Sequence, residues 1–152
     1  MSRLQTAIEN TPDVQGNGKT GKTAIKNEYR SKIIVPIPRK LTYSLDIDKA
    51  VKKLYPEDSR WDYALEYDDE VYFLEFHPAD TSQINIVLAK LSWLKQWLLS
   101  NAPKINELKS LKHYPYYWVA TQSIHISPTS SQYRLLATYK LLPQNVWNFS
   151  KI

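Results

Sequence analysis

Two adjacent strand-forming runs, followed at once by a change of hydrophobic period, constrain the fold of this chain most strongly. Residues 61–67 and 71–77 are rich in tyrosine, valine, leucine and phenylalanine, and acidic turn residues separate them. After Pro78 the apolar residues recur at helical spacing, at Ile84, Val87, Leu88, Leu91, Leu94 and Leu98. The pattern predicts an antiparallel hairpin over residues 60–77 that continues directly into a long amphipathic helix. Asp80 and Gln83 form a candidate capping pair for that helix.

The other segments predict further alternation of helices and strands. Helices are predicted at 3–10, 23–30, 49–54, 104–111 and 131–142, and extended segments at 32–38, 42–47, 116–122 and 124–126. Asp46 or Asp48 is predicted to cap the helix that starts at residue 49. The sequence therefore predicts one α/β domain over residues 1–152. Within it, residues 1–31 should form N-terminal helices and a basic loop, and residues 32–152 an α/β core.

Composition excludes several classes of protein. A chain of 152 residues can bury a core without disulfides or structural metal. Because it has no cysteine, thiol catalysis and cysteine-ligated zinc are excluded. No apolar run approaches the length of about 18 residues that a membrane span needs, and an apolar signal core does not follow Met1. We therefore expect a cytoplasmic protein without membrane contact.

The distribution of charge suggests an anionic partner. The formal net charge is +5, and acidic residues concentrate between positions 57 and 75. Basic residues crowd the N-terminal third, at Lys19, Lys22, Lys26, Arg30, Lys32, Arg39 and Lys40. Clustered lysine and arginine favour nucleic acid through the release of its counterions, but a solvated basic face has the same composition. Nucleic acid and a second copy of the chain, as a homodimer, both remain open as partners.

The hairpin brings two carboxylates together. If a two-residue turn closes it at 68–69, Asp62 lies opposite Glu75, at about 5 Å between Cβ atoms, and His77 shares their face. Opposed like charges destabilise a sheet unless a metal, a proton or a cation compensates them. The pair therefore indicates a divalent-metal site. Alternatively, one carboxylate points to solvent or pairs with Arg60.

These residues resemble the motif of the PD-(D/E)XK nuclease superfamily. Asp62, twelve intervening residues and then Glu75-Phe76-His77 match it by position, and the resemblance covers residues 43–122. It implies a restriction-endonuclease-like core, in which a mixed central sheet contains the antiparallel hairpin and a long helix and a further strand follow. It also implies that Asp62 and Glu75 bind Mg²⁺ or Mn²⁺, and that the substrate is a nucleic-acid phosphodiester.

The third position of the motif departs from the family, because His77 stands where the catalytic lysine is expected. His77 could be a metal ligand, a general base or a structural residue, since imidazole is mostly neutral near pH 7. Some superfamily members supply the lysine from the following helix, and Lys90 is the candidate here. Alternatively, its stem passes Trp93 and Trp97 to reach water. Both a metal-dependent nuclease and a non-catalytic module that binds nucleic acid or protein are consistent with these residues.

Residues 16–23 match the P-loop pattern GxxxxGK[ST]. A P-loop follows a buried apolar strand, whereas the preceding residues are polar and include Pro12. We therefore predict that this segment is not a nucleoside triphosphate site. It is either a connector or a basic loop that touches a phosphate backbone.

Overall fold

A mixed five-stranded sheet is the centre of the α/β fold seen in the computed structural model, which describes residues 1–152. Its strands are β1 (Gly18–Thr20), β3 (Leu41–Asp46), β4 (Tyr63–Tyr67), β5 (Glu70–His77) and β6 (Tyr116–Ala120), in the spatial order β1-β3-β4-β5-β6. All neighbours are antiparallel except β5 and β6, which run parallel. A small parallel pair joins β2 (Ile33–Ile34) to β7 (Trp147–Asn148).

The predicted hairpin is confirmed, and so is its register. Tyr67 pairs with Glu70 and Tyr63 with Leu74, so the turn consists of Asp68 and Asp69. Their φ angles of 51° and 66° are left-handed at both central positions, as a type I′ turn requires. Aspartate tolerates this conformation better than most residues because its short side chain bonds locally. The first strand is shorter than predicted and starts at residue 63.

Six helices accompany the sheet. They are α1 (Arg3–Glu9), α2 (Asn27–Arg30), α3 (Ile47–Val51), α4 (Ile84–Ser100), α5 (Pro103–Asn106) and α6 (Ser131–Thr138). The long helix α4 lies between the two parallel strands in the chain, as a crossover connection requires. Its buried face is the predicted stripe with one exchange, because Trp97 is buried and Leu88 only half-buried. None of the helices combines the length and the apolar character needed to cross a membrane.

Apolar clusters cover both faces of the sheet. One cluster packs Ala64 and Phe73 of the hairpin against α1, α4 and α6. The other packs Leu65 and Tyr72 against β2 and β7, with Trp147 at its centre. Strand β5 is therefore buried on both sides, which explains why residues 71–74 are all apolar rather than alternating with polar residues.

Several predicted boundaries in the N-terminal half are wrong. The helix predicted at 23–30 is reduced to α2, because residues 21–25 form turns whose carbonyls at Thr23 and Ile25 accept hydrogen bonds from Arg30. Only two residues of the extended segment 32–38 form a strand, since Pro36 and Pro38 cannot donate to a ladder. Residues 1–31 were predicted to contain helices and a loop, but they also supply the edge strand β1.

Helix starts also differ from the prediction. The helix predicted at 49–54 occupies 47–51, because Asp46 caps it by accepting from the Lys49 amide. Asp80 does not cap α4 through its side chain, and a 3₁₀ turn at 81–83 precedes that helix instead. The Gln83 side chain contacts His77 rather than the helix terminus.

The C-terminal elements are shorter than predicted. Helix α5 covers 103–106 rather than 104–111, and β6 ends at Ala120. Residues 124–126 form no strand; His125 makes a single bridge to Asp80. Helix α6 stops at residue 138 instead of 142, where Lys140 adopts a left-handed φ of 55° that ends helical geometry.

Candidate active site

The two carboxylates lie one step beyond the last paired residues of the hairpin ladder. The Asp62 backbone N–H donates to Glu75 Oε1 over 3.0 Å, and the Phe76 N–H donates to Asp62 Oδ2 over 2.9 Å. The Asp62 carbonyl accepts from the Ile47 amide over 2.8 Å. These bonds turn the chain away from the ladder and hold both carboxylates at the hairpin end, where the register predicted them.

Lys90 reaches this pair from helix α4. Its Nζ lies 2.5 Å from Glu75 Oε2, and its side chain is 20% exposed while that of Glu75 is completely buried. The helix carries Lys90 there because its buried stripe packs against the same face of the sheet that Glu75 occupies. The Lys90 side chain therefore points toward the hairpin carboxylates rather than past Trp93 and Trp97 to water.

His77 lies beside Glu75 without a hydrogen bond to it. Its Nδ1 is 3.6 Å from Glu75 Oε2, and its Nε2 lies 2.7 Å from Gln83 Oε1. With an amide oxygen as its partner, Nε2 carries a hydrogen, and Nδ1 faces the Glu75 carboxylate. Gln83 therefore orients the imidazole. The ring makes no hydrogen bond to the backbone.

The cluster has an excess of negative charge. Burial raises the pKa of Asp62 to about 8, and the charge of Glu75 contributes in the same direction. Burial acts to lower the pKa of Lys90, but Glu75 and Asp62 outweigh it, so that pKa is raised. Lys90 balances one carboxylate, and the second needs a proton or another cation.

Arg60 is not the partner of Asp62. Its Nε donates to Asp48 Oδ1 over 2.7 Å, and its NH1 donates to the Tyr55 carbonyl over 2.7 Å. The alternative in which Arg60 neutralises Asp62 is therefore wrong. Arg60 instead braces the loop before β4, so that it positions Asp62 through the backbone.

The oxygens of Asp62 and Glu75 are the candidate metal ligands of this cluster. No three histidine, aspartate or glutamate side chains converge in a way that could hold an ion. Asp62 Oδ2 and both Glu75 oxygens accept hydrogen bonds, whereas Asp62 Oδ1 accepts none. Asp62 is also partly exposed. Asp62 Oδ1 is therefore the carboxylate oxygen of the pair that is free to accept from or coordinate a ligand.

Sequence reasoning missed two neighbours of the site. Gln83 was predicted to belong to a capping pair, but its side chain contacts His77. The available signal was its spacing of seven residues from Lys90, because helical residues seven apart lie on the same face. Tyr29 stacks on Phe76 with ring centroids 4.5 Å apart and 3° between the planes. Burial raises the Tyr29 pKa, and Glu28, Asp62 and Glu75 raise it further. Tyr29 is distant in sequence, so only the folded chain reveals it.

The P-loop-like segment has a different structure from a phosphate-binding loop. Residues 18–20 form the edge strand β1, and Lys22 Nζ donates to the carbonyls of Arg30 and Ile33. Its glycines have local reasons: a Cβ on Gly18 would overlap the Tyr43 ring, and Gly21 has a φ of 54°. The lysine that would contact phosphates in a P-loop is thus committed to the protein itself.

Comparisons with protein-family models, with curated proteins and with solved structures found no match to this chain.

Proposed function

We propose that this protein is a metal-dependent phosphodiesterase that acts on nucleic acid, with Asp62, Glu75 and Lys90 as its catalytic residues. The observation that carries the proposal is the contact between Lys90 Nζ and Glu75 Oε2, beside a second, partly exposed carboxylate. Two acids and a lysine at the end of a hairpin are the chemical groups of the PD-(D/E)XK motif. The lysine comes from the next helix instead of position 77.

The donor set fits a hard divalent cation. Mg²⁺ is commonly held by one or two carboxylates, with water and substrate phosphate completing its coordination. Asp62 and Glu75 supply two carboxylates, and because burial and then the Glu75 charge raise the pKa of Asp62, a bound cation would stabilise its ionised form. Asp62 Oδ1 has no competing hydrogen bond. We infer that Asp62 and Glu75 together hold Mg²⁺ or Mn²⁺.

The order of elements supports the same proposal. Strands β3, β4 and β5 are antiparallel neighbours, α4 follows, and β6 returns parallel to β5. This order is similar to the restriction-endonuclease-like core that the motif implies, with Asp62 directly before the second of these strands and Glu75 on the third. We propose that fold family for the chain on these grounds.

Each residue has a separate chemical task. The bound cation would polarise a phosphate and lower the pKa of a water nucleophile. Lys90 supplies a fixed positive charge where charge develops on the phosphate, in a site where burial strengthens it. Glu75 orients that ammonium, and Gln83 orients the His77 ring. His77 is then a positioning residue rather than the source of the cation.

The decisive experiment compares two lysines on one helix. Lys90→Met should reduce Mn²⁺-dependent cleavage of plasmid DNA, single-stranded DNA or RNA by about 100-fold or more. Lys95→Met is the matched control, because Lys95 is also half-buried on α4 but packs over the Tyr116 and Tyr139 rings. Activity that survives Lys90→Met, or that Lys95→Met abolishes equally in a folded protein, would contradict the assignment.

Calorimetric titration with Mn²⁺ tests the metal separately. Asp62→Asn and Glu75→Gln should each weaken binding, whereas Asp69→Asn should not, because Asp69 is an exposed turn residue that asparagine replaces without strain. Absence of Mn²⁺ binding by the parent protein would refute the metal site.

A second candidate is a non-catalytic module of the same fold that binds nucleic acid or a protein partner. It is favoured by the satisfaction of both Glu75 oxygens within the protein, one by Lys90 and one by the Asp62 amide. A module needs no metal, so a folded parent that neither binds Mn²⁺ nor cleaves any substrate would favour it.

A further inference from the structure

A basic cleft of about 380 Å³ opens on the side of the sheet edge where β1, α2 and α3 meet. This volume is within the range of ordinary ligand sites. Its lining includes the cations Lys19, Lys26, Arg30 and Lys49, and Asp46 is the only acidic residue in it. The cleft is therefore strongly positive, and it is separate from the carboxylate cluster.

Three of these cations are free to bind a ligand. The ammonium groups of Lys19, Lys26 and Lys49 make no hydrogen bond and no ion pair, and all three residues are exposed. Asp46 is already engaged, because its Oδ1 caps α3 by accepting from the Lys49 amide over 2.9 Å. Three ammonium groups and one arginine around a cleft with a single carboxylate leave a net positive charge that favours an anionic ligand.

The framework of the cleft is fixed by Arg30. Its Nε donates to the Ile25 carbonyl over 2.8 Å, and its NH2 donates to the Thr23 carbonyl over 3.2 Å. Residues 16–17 and Thr23 of the P-loop-like segment line the same cleft. Lys22 of that segment points elsewhere, to the Arg30 and Ile33 carbonyls. The cleft therefore takes Lys19 from the segment and Lys26 and Lys49 from outside it, while the lysine that would contact phosphates in a P-loop, Lys22, does not line it.

The cleft adjoins the candidate active site through two short connections. Asp46 pairs with Tyr63, the residue after Asp62, and the next residue, Ile47, donates its amide to the Asp62 carbonyl. On the other side, α2 supplies Asn27 and Arg30 to the cleft, while its Tyr29 stacks on Phe76 at the site. The cleft and the candidate site therefore lie at the same end of the sheet, where β3 ends and β4 begins.

We propose that this cleft binds the phosphate backbone of the nucleic-acid strand whose neighbouring phosphodiester enters the candidate active site. The proposal rests on the proposed function for its ligand. Lys19, Lys26 and Lys49 would contact successive phosphates and position the strand without reading its bases, since flexible ammonium groups act as point charges. Flanking phosphates anchored here would hold the reacting one beside Asp62.

The test measures binding without cleavage. Fluorescence anisotropy with a labelled oligothymidylate of about 15 nucleotides, in EDTA, reports affinity independently of any metal chemistry. The triple variant Lys19→Ala, Lys26→Ala, Lys49→Ala should bind roughly 10- to 100-fold more weakly than the parent at low salt. The slope of log K against log salt should become less steep by about 2, since each lost contact to a single strand contributes about 0.7.

Two matched variants define the outcome. Lys104→Ala, Lys112→Ala, Lys151→Ala removes the same charge from exposed lysines elsewhere and should retain most of the affinity. Replacement of Lys19, Lys26 and Lys49 by arginine keeps the charge and should preserve binding. Equal losses in the two alanine triples would overturn the cleft assignment, as would unchanged binding by the first triple in a protein with parental circular dichroism.

Free nucleotides provide the last arm of the test. ATP and pyrophosphate should compete only weakly with the oligonucleotide, because the cleft lacks a phosphate-cradling backbone. Saturable ATP binding at micromolar concentration, lost in the first triple while oligonucleotide binding persists, would overturn the proposal in favour of a nucleotide site. Failure of the nuclease assays would leave these binding results intact, so the two proposals can fail separately.

Discussion

Two buried glutamates on the same hairpin, Glu66 and Glu75, have contrasting environments. Both side chains belong to completely buried residues, and both lie on the face of the sheet that packs against helices. Glu66 accepts from the Leu4 amide over 3.0 Å and from the Thr42 hydroxyl over 2.7 Å. Glu75 instead pairs with the Lys90 ammonium and has the Asp62 carboxylate beside it.

The difference separates a structural carboxylate from a candidate catalytic one. The Glu66 partners are neutral donors that attach α1 and β3 to the hairpin, and its position next to the α1 N-terminus favours negative charge. The Glu75 cluster contains two acids and one cation in a confined space, so its charge is not balanced internally. Burial alone therefore does not identify a candidate site. The combination of two acids, one cation and a partly exposed carboxylate is what distinguishes the Glu75 cluster as a candidate.

The largest expected effect separates the two glutamates by activity. Glu75→Gln should reduce metal-dependent cleavage by about 100- to 1,000-fold, because it weakens the metal site and frees Lys90. Glu66→Gln should retain cleavage per folded molecule and lose about 1–3 kcal/mol of stability, because the amide cannot accept both hydrogen bonds. Plasmid cleavage assays and urea unfolding measure the two effects. If both variants are equally folded and lose the same activity, Glu75 is not distinguished from Glu66 as a catalytic residue.

The next effect concerns Asp62 and pH. The folded-state pKa of about 8 exceeds the ordinary value near 3.9, so from about pH 4 to about pH 8 the folded state holds a proton that the unfolded state has released. The stability that this proton uptake adds to the folded state is fully present below pH 4 and is lost as pH rises through 8. In EDTA, Asp62→Asn should therefore gain stability relative to the parent across that window, by at least about 1.4 kcal/mol, the equivalent of one pKa unit.

Urea unfolding at several pH values measures this gain, with Asp69→Asn as the exposed control that should show no such trend. Glu75→Gln should not match Asp62→Asn. Either substitution removes the repulsion between the Asp62 and Glu75 carboxylates, which should stabilise the fold. Glu75→Gln also removes the carboxylate closest to the Lys90 ammonium, which offsets that gain. A stability difference between Asp62→Asn and parent that stays constant with pH would show that Asp62 is not the excess charge.

The smallest effect is expected at His77. His77→Gln keeps a side-chain N–H near Gln83 and removes titration, so cleavage should stay within about 10-fold of the parent and the pH profile should keep its shape. His77→Lys should retain or raise activity, because it adds a cation where the motif has one. A rise of cleavage with pH that is present in the parent and absent in His77→Gln would make His77 a general base, a role distinct from the fixed charge of Lys90.

Features that depend on neighbouring residues could be predicted from the sequence, whereas contacts that depend on how elements pack could not. The hairpin turn at Asp68 and Asp69 was predictable, since two turn-forming residues between strand runs define the register, and the register defines the Asp62–Glu75 pair. The period of α4 was likewise local information. Residue 90 was a candidate, but its contact with Glu75 depends on how the helix packs, which periodicity does not specify.

What the sequence by itself determined is the α/β alternation, the hairpin register and the two opposed acids, because strand and helix periods and turn chemistry act between near neighbours. Tertiary structure decided which cation meets Glu75, which residue orients His77, and where Lys19, Lys26 and Lys49 converge. These arrangements join residues of different elements, even where the residues are close in the chain, as His77 and Gln83 are. They follow from the packing of whole elements, in which many small contacts compete, and no short motif encodes that result.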